Sequence, residues 1–515
     1  MSEENLGARG PGAHSPAGAG ALDALPVVLL YGFLGAAACV PDEAILRSKV
    51  AWTEGLMLLA AAAALLVQLA QGRIRAPWPV LLVGSLIPGA VAWLMSWTRE
   101  DLISASLARD EAERLLLFPL AFWCVAATVC RPQARRLFLG ALSLAVLVVA
   151  ALAVAQNLAV ELSLPVNRYE RPPSTFGNPV FLAAFLVLTT PVCAVEALFA
   201  TGWRRWAGSL ATGLALPALL ATRSRWAWLG FAVALCLGTT LLAPAGRWRR
   251  RLLVGLLAGG LLMLLLNQSV LRRPQQHALI WRDTLAMVSD RPWGIGPGQF
   301  PVAFLDYASA QLLEVYPPSA FVINDAHNEP LQILAELGWP GLAAIVLLAA
   351  LLLRHAAQSL TDATADPAER PLRVACLAAL SGALVQSLGS PDLRFVVSTL
   401  MFGAIAGLTA SFNEPVTLRV PGPRAARVVL GLLVILGAGF ALRSTWKRLQ
   451  LAELLQPAAT VQPALPVGSS EDLVAQRRDE LAADPLNASK HYALGLALAL
   501  QHRYAEAAES FRTAL

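Results

Sequence analysis

Three features of the sequence predict an all-α, polytopic integral membrane protein. Hydrophobic residues make up 57% of the 515 and charged residues only 14%, whereas a soluble globular chain carries about a quarter charged residues. Apolar stretches at 52–70, 79–97, 137–158, 180–200 and 374–388 are separated by short Arg-rich or Pro/Gly-rich breaks. Each matches the length a helix needs to cross ~30 Å of hydrocarbon. Leu and Ala dominate them without period-2 alternation, which suits helices and excludes a membrane β-barrel.

Residues 1–24 are rich in Gly, Ala, Pro and Ser, and read as a disordered start without a signal peptide. Spans follow near 25–41, 52–70, 78–97, 113–130, 137–158, 179–199, 207–222, 226–242, 252–267, 339–353, 374–390, 395–411 and 428–444, about thirteen in all. The net charge of +6 can indicate nucleic-acid binding, but here the arginines flank spans, which positive-inside topology explains better. One set of loops holds Arg73/Arg75, Arg131/Arg135/Arg136, Arg204/Arg205, Arg247/Arg249/Arg250/Arg251, Arg354/Arg370/Arg373 and Arg419/Arg424/Arg427. The alternate set balances its bases with acids, as at 99–114 with Glu100, Asp101, Asp110, Glu111 and Glu113. The first set is therefore expected on the cytoplasmic side of the membrane, with the N-terminus. The loop 268–338 and the tail after 445 are then on the outer side. Cys39, Cys124, Cys130, Cys193, Cys236 and Cys376 all fall in apolar segments with no CxxC or Cys/His cluster. They read as small buried hydrophobes, neither disulfides nor metal ligands.

The membrane domain thus covers 25–445. A Pro/Ala/Gln linker at 456–470 leads into a soluble segment, 471–515, whose end, ASKHYALGLALALQHRYAEAAESFRTAL, resembles one tetratricopeptide repeat. Leu494-Gly495, Tyr504, Ala507, Phe511 and Ala514 fall at that repeat's spacing. A single repeat cannot bury its own face, so either residues 471–485 supply a partner helix or the natural chain continues.

Loops as long as 268–338 are usually functional. Within it, 280–290 reads as a short amphipathic helix with Trp281, Leu285 and Val288 on one face, followed by the turn-rich Pro292, Gly294, Gly296, Pro297 and Gly298. That run is a turn or, with no strand before it, a weak phosphate cradle. In NDAHNEPLQILAELGWPG, Pro330 suits a first helical turn, Leu331, Leu334 and Ala335 have helical spacing, and Gly338 and Pro340 end the helix. His327 stands immediately before that helix, as a capping or interfacial residue or as a general base: a neutral imidazole can take a proton from a hydroxyl. In ATRSRW, Arg223 and Arg225 lie between two apolar runs, opposite the Arg-rich loops. They either snorkel to the interface or bind an anion such as a phosphate. Glu111-Ala112-Glu113 reads as solvated loop charge or as a carboxylate pair.

His327-Asn328, nine residues, then Gly338-Trp339-Pro340-Gly341 resembles the H-[NSQ]-x9-GxxG pattern of the bacterial O-antigen ligase and polymerase family. WRDTLAMVSDRPWGIGPGQF is similar to that family's outer-loop opening, RPPSTFGNPVFLA to its earlier loop-to-span junction, and SRWAWLGF to its Arg-containing span start. The resemblance covers about residues 25–445. It implies a GT-C-like fold in a bacterial inner membrane, with the loop 268–338 and the tail in the periplasm, and glycan transfer from an undecaprenyl-diphosphate carrier. Carried over by position, His327 would be the catalytic base, with Asn328, Gly338 and Gly341 as supporting motif, and Arg225 a diphosphate clamp that Arg223 could share. A second arginine of the family, four residues before the loop helix's Trp, is replaced here by His277, which leaves Arg272, Arg273 and Arg282 as the candidates for its place.

The chemistry is consistent with those residues. A glycosyl diphosphate brings its own leaving group, arginines can stabilise the charge developing on it, and a base then activates the acceptor hydroxyl. Direct displacement would invert the anomeric centre. No DxD motif occurs, so neither metal nor other cofactor is expected. Ligation of O-antigen to lipid A-core stands first, ahead of polymerisation of the glycan and O-linked protein glycosylation, and the repeat-like tail could recruit a protein partner for any of these. A glycolipid transporter or flippase is disfavoured, because the spans carry almost no midplane charge and show no inverted repeat of broken helices.

Overall fold

The computed structural model describes residues 19–41, 48–99, 101–160, 171–243, 246–255, 277–316, 323–362, 366–413, 415–460, 470–482 and isolated positions within 490–513. Its helices are α1 (Ala19–Cys39), α2 (Ser48–Ala70), α3 (Pro79–Thr98), α4 (Ala105–Leu115), α5 (Leu117–Thr128), α6 (Pro132–Asn157), α7 (Pro179–Phe199), α8 (Trp203–Ala221) and α9 (Arg225–Leu242). After these come α10 (His277–Asp290), α11 (Phe300–Ala303), α12 (Ala310–Val315), α13 (Glu329–Gln358), α14 (Arg370–Gln386), α15 (Val396–Ala410), α16 (Arg424–Thr460) and α17 (Ser470–Ala482). The strands β1 (Arg73–Ala76) and β2 (Val416–Arg419) form one short antiparallel ribbon.

Among the described residues, seven helices are long and apolar enough to cross a membrane: Lys49–Ala70 of α2, α3, α6, α7, α9, α13 and Arg424–Arg443 of α16. Ala24–Cys39 of α1 and all of α15 are apolar but shorter. The spans expected near 207–222 and 374–390 are helical as α8 and α14, and the one near 252–267 lies largely outside the described residues. The expected span 113–130 is divided. Residues 105–115 form a separate charged helix, α4, which buries Ala108, Glu111 and Ala112, and the chain turns at Leu116 before α5 begins.

The short helix α15 is explained by its position. Every residue from Val397 to Ala410 is buried, and a helix apolar on all sides needs protein on all sides. Phe402 meets Phe118 of α5 at 5.7 Å between ring centroids, and Phe122, Phe138 and Phe185 continue the same core into α5, α6 and α7. Helices α9 and α14 cross at Gly230 and Gly382, where a Cβ on either would stand within 2.6 Å of the other's carbonyl oxygen; small residues allow such close approach. Lys49, fully buried at the start of α2, donates to Ala37 O at 2.6 Å and Thr175 Oγ1 at 2.7 Å, and ties α1 and α2 to the segment before α7.

The loops group at two ends of the bundle. At one, β1 pairs with β2, Arg73 opposite Arg419. There Arg135 pairs with Glu369, and Arg135 and Arg373 lie over the Phe412 ring at 4.8 and 4.7 Å. The Arg-rich loops at 73–75, 131–136, 370–373 and 419 thus share one end. At the other, Arg99 Nη1 donates to Gly294 O at 2.7 Å and the Glu329 N–H to Ser387 O at 2.9 Å.

Several boundaries differ from the sequence expectation. Helix α1 begins at Ala19, inside the stretch read as disordered, and α16 continues to Thr460, into the expected linker. Cys39 is exposed, unlike the buried Cys124, Cys193 and Cys376. Val474 and Leu481 of α17 share an apolar cluster with Leu494, Ala497, Leu498 and Ala507, so the segment before the repeat-like end does supply it with a partner face.

Candidate active site

The site is built around the start of α13. Asn328 caps it: its Oδ1 accepts the Leu331 N–H at 2.9 Å while its Nδ2 donates to Leu388 O at 2.7 Å. This is the N-cap role for which Asn is favoured, and the second bond staples the helix start to the loop after α14. One residue earlier, Ala326 is held at both ends. Its N–H donates to Gln332 Oε1 at 2.7 Å, and its carbonyl accepts from Trp281 Nε1 at 2.8 Å. Between these fixed neighbours His327 takes a left-handed backbone conformation, φ 51°, which His tolerates better than most side chains. Its ring is 36% exposed, and Nδ1 lies 3.2 Å from Asp325 Oδ1.

The His277 ring stacks on His327 with 4.3 Å between centroids and 12° between planes. Burial, with help from His327 and the Arg225 guanidinium, pushes the His277 pKa down to about 4. The residue standing where the resemblance leads one to look for an arginine is therefore a neutral imidazole at pH 7.

Arg225, half-buried in the first turn of α9, makes no hydrogen bond or ion pair with any described residue. Arg223, two residues earlier, is exposed with φ 50°. A third arginine, which the sequence reading did not single out, reaches the same turn: Arg171 Nη1 donates to Thr222 O at 3.1 Å. Arg282 is engaged elsewhere, on Asp283 at 2.9 Å and on Ser309 and Gln311. Arg272 and Arg273 lie outside the described residues. The structure thus brings His327, His277 and Arg225 together, with Arg223 on the adjoining turn, and leaves Arg282 apart.

The glycine-rich turn packs on α13. The Ile295 and Gly296 N–H groups donate to the carbonyls of Ala335 and Glu336 at 2.9 and 3.0 Å, and Gly298 N–H to Glu336 Oε2 at 3.0 Å. Those donors are spent inside the protein, which favours the turn reading over a phosphate cradle. Gly338 is the matching piece. It interrupts α13 with φ 68° and ψ −168°, and the helix resumes at once. Pro340 is tolerated there because the first turn after a break has N–H groups without helical partners anyway. The buried face of α10 is Ile280, Asp283, Thr284, Met287 and Val288; Leu285, expected on it, is exposed.

Beneath lies a buried ion network that the sequence reading missed. Glu111 pairs with Arg114 and Arg394, and Arg394 also with Glu336 at 3.2 Å. Glu111 is therefore neither solvated charge nor half of a carboxylate pair with the exposed Glu113. Burial alone would raise its pKa, but the two guanidiniums outweigh that and hold the carboxyl well below the usual range. Glu336 in turn accepts from Gln332 Nε2 at 2.7 Å, so the network supports the side chain that holds Ala326 beside His327. The spacing Glu111-x-x-Arg114, one helical turn, was the available signal.

No curated protein matches this chain. Residues 210–346, which run from α8 into α13 and include Arg223, Arg225, His277, Arg282, His327, Asn328, Gly338 and Gly341, match the model of the O-antigen ligase family.

Proposed function

We propose that the chain is an inner-membrane glycosyltransferase that moves a glycan from an undecaprenyl-diphosphate carrier to an acceptor hydroxyl in the periplasm, with lipid A-core as the acceptor. The observation that carries this reading is the stacked His327–His277 pair beside an arginine with no hydrogen bond or ion pair among the described residues, inside the segment that matches the O-antigen ligase family. A half-buried cation with no ion pair among the described residues suits an anionic ligand. The grouping of the Arg-rich loops at 73–75, 131–136, 370–373 and 419 at one end of the bundle supports a cytoplasmic place for them; with about thirteen spans, His327 and the tail are then in the periplasm.

In the proposed step, Nε2 of His327 takes the proton of the acceptor hydroxyl while that oxygen bonds to the anomeric carbon. The bond from that carbon to the diphosphate oxygen breaks, its electron pair leaves with the diphosphate, and the anomeric centre inverts. Arg225 and Arg223, with Arg171 at the same turn, offset the charge that develops on the leaving group. The diphosphate is already a good leaving group, so the step needs no metal and no protonating acid.

The test is purified protein with a purified undecaprenyl-diphosphate glycan in excess EDTA. Donor alone should remain unchanged, and added lipid A-core should gain the mass of the glycan. A ladder formed without an acceptor would identify a polymerase instead. Strict dependence on Mg²⁺ or Mn²⁺ would overturn the mechanism for both.

A further inference from the structure

Asp325 meets His327 at two atoms. Its Oδ1 accepts the backbone N–H of His327 at 2.9 Å and lies 3.2 Å from Nδ1 of the same residue. One carboxylate oxygen therefore bonds the left-handed backbone and stands within ion-pair distance of the ring. The stacked His277 covers a ring face, and Ala326, between the two residues, is gripped through its N–H and its carbonyl. The carboxylate is only 17% exposed. Nε2 has no hydrogen-bond partner among the described residues.

We propose, resting on the reading of His327 as the base, that Asp325 is its positioning residue. Asp325 accepts the Nδ1–H, so that the unprotonated Nε2 meets the acceptor hydroxyl. It then offsets the positive charge on the ring once Nε2 has taken that proton. Asp325 remains a carboxylate throughout, and no proton passes to it. An acid held against a histidine's other nitrogen works in this way in hydrolases, by fixing the tautomer and steadying the imidazolium.

The experiment is a double-mutant cycle on the full-length protein in nanodiscs, with radiolabelled lipid-linked glycan followed long enough to measure slow variants. Asp325→Ala should lower kcat by about 10–100-fold and leave KM for the donor within about two-fold. Asp325→Asn keeps an oxygen for the His327 N–H and should melt with the wild type, yet still lose kcat, because a neutral amide cannot offset the imidazolium. Asp325→Ala added to His327→Ala should slow transfer no further, since a residue that acts through His327 has nothing left to act on. A further loss in the double variant, or full kcat in Asp325→Asn, would overturn the proposal while leaving His327 as the base. Near-normal turnover by His327→Ala alone would overturn the underlying reading instead.

Discussion

Gly338→Ala tests whether the kink in α13 is what holds the site in place. The backbone there, φ 68° and ψ −168°, lies in a region essentially reserved for glycine, where a side chain costs about 1–3 kcal/mol. An added Cβ would stand 2.5 Å from Trp293 C and 2.7 Å from Pro292 O. Both are backbone atoms, so the glycine-rich turn must move. That movement strains the bonds from Trp339 N–H to Pro292 O and from Ile295 N–H to Ala335 O, each worth about 0.5–1.5 kcal/mol net. The combined loss is about 2–6 kcal/mol. A chain of this length loses about 1 kcal/mol of stability per degree near its midpoint, so the variant should melt roughly 2–6 °C below the wild type. The assay is thermal unfolding of the purified protein in detergent, with Gly84→Ala as control. A Cβ at Gly84 meets nothing within 4 Å, and Ala in a helix is favoured over Gly by about 0.5–1 kcal/mol, so the control should melt at or slightly above wild type. If Gly338→Ala melted with the wild type and transferred glycan at the same rate, the kink would have no part in shaping the site.

Arg225→Lys should fail to restore the transfer lost in Arg225→Ala, because bidentate diphosphate binding needs the guanidinium fork; full activity of the Lys variant would mark Arg225 as structural. His277 has a native pKa of about 4 against an ordinary 6.5, so between those values the unfolded chain binds a proton that the native chain refuses. Stability should therefore fall as pH drops through that window, and His277→Gln should flatten the dependence; unchanged pH curves would show that His277 is not held neutral by folding. A phosphatase fused after residue 515 should be active in the periplasm, whereas activity of a cytoplasmic-only reporter there would reverse the proposed topology and the side of the membrane assigned to His327.

Legibility in the sequence followed the range of the interaction. The apolar stretches, Pro330 in the first turn of α13 and the stop at Gly338 are written in a few adjacent residues, and the structure repeats them, although the cap proves to be Asn328 and not His327. What followed Gly338 was less plain, since local rules end a helix there but cannot see that the turn at 292–298 clamps the break and lets the helix restart. Which side of α10 is buried depends on what packs against it, so Met287 proved buried and Leu285 exposed. The Glu111–Arg394–Glu336 pairing joins three distant parts of the chain, and no spacing rule reaches that far. Arg171 met the Thr222 turn for the same reason. The division between α4 and α5 was hidden because Leu115, Leu116 and Leu117 read as unbroken apolar sequence.

The claim that His327 is the base for glycan transfer is tested most directly by the turnover of purified His327→Ala with an undecaprenyl-diphosphate glycan and lipid A-core. Loss of a general base costs roughly 10²–10⁴ in rate. The variant should show that loss while it inserts into membranes and melts within a few degrees of the wild type, since the ring is 36% exposed and its loss leaves the cap at Asn328 and the bonds of Ala326 in place. A folded His327→Ala protein that transfers glycan at close to the wild-type rate would contradict the account.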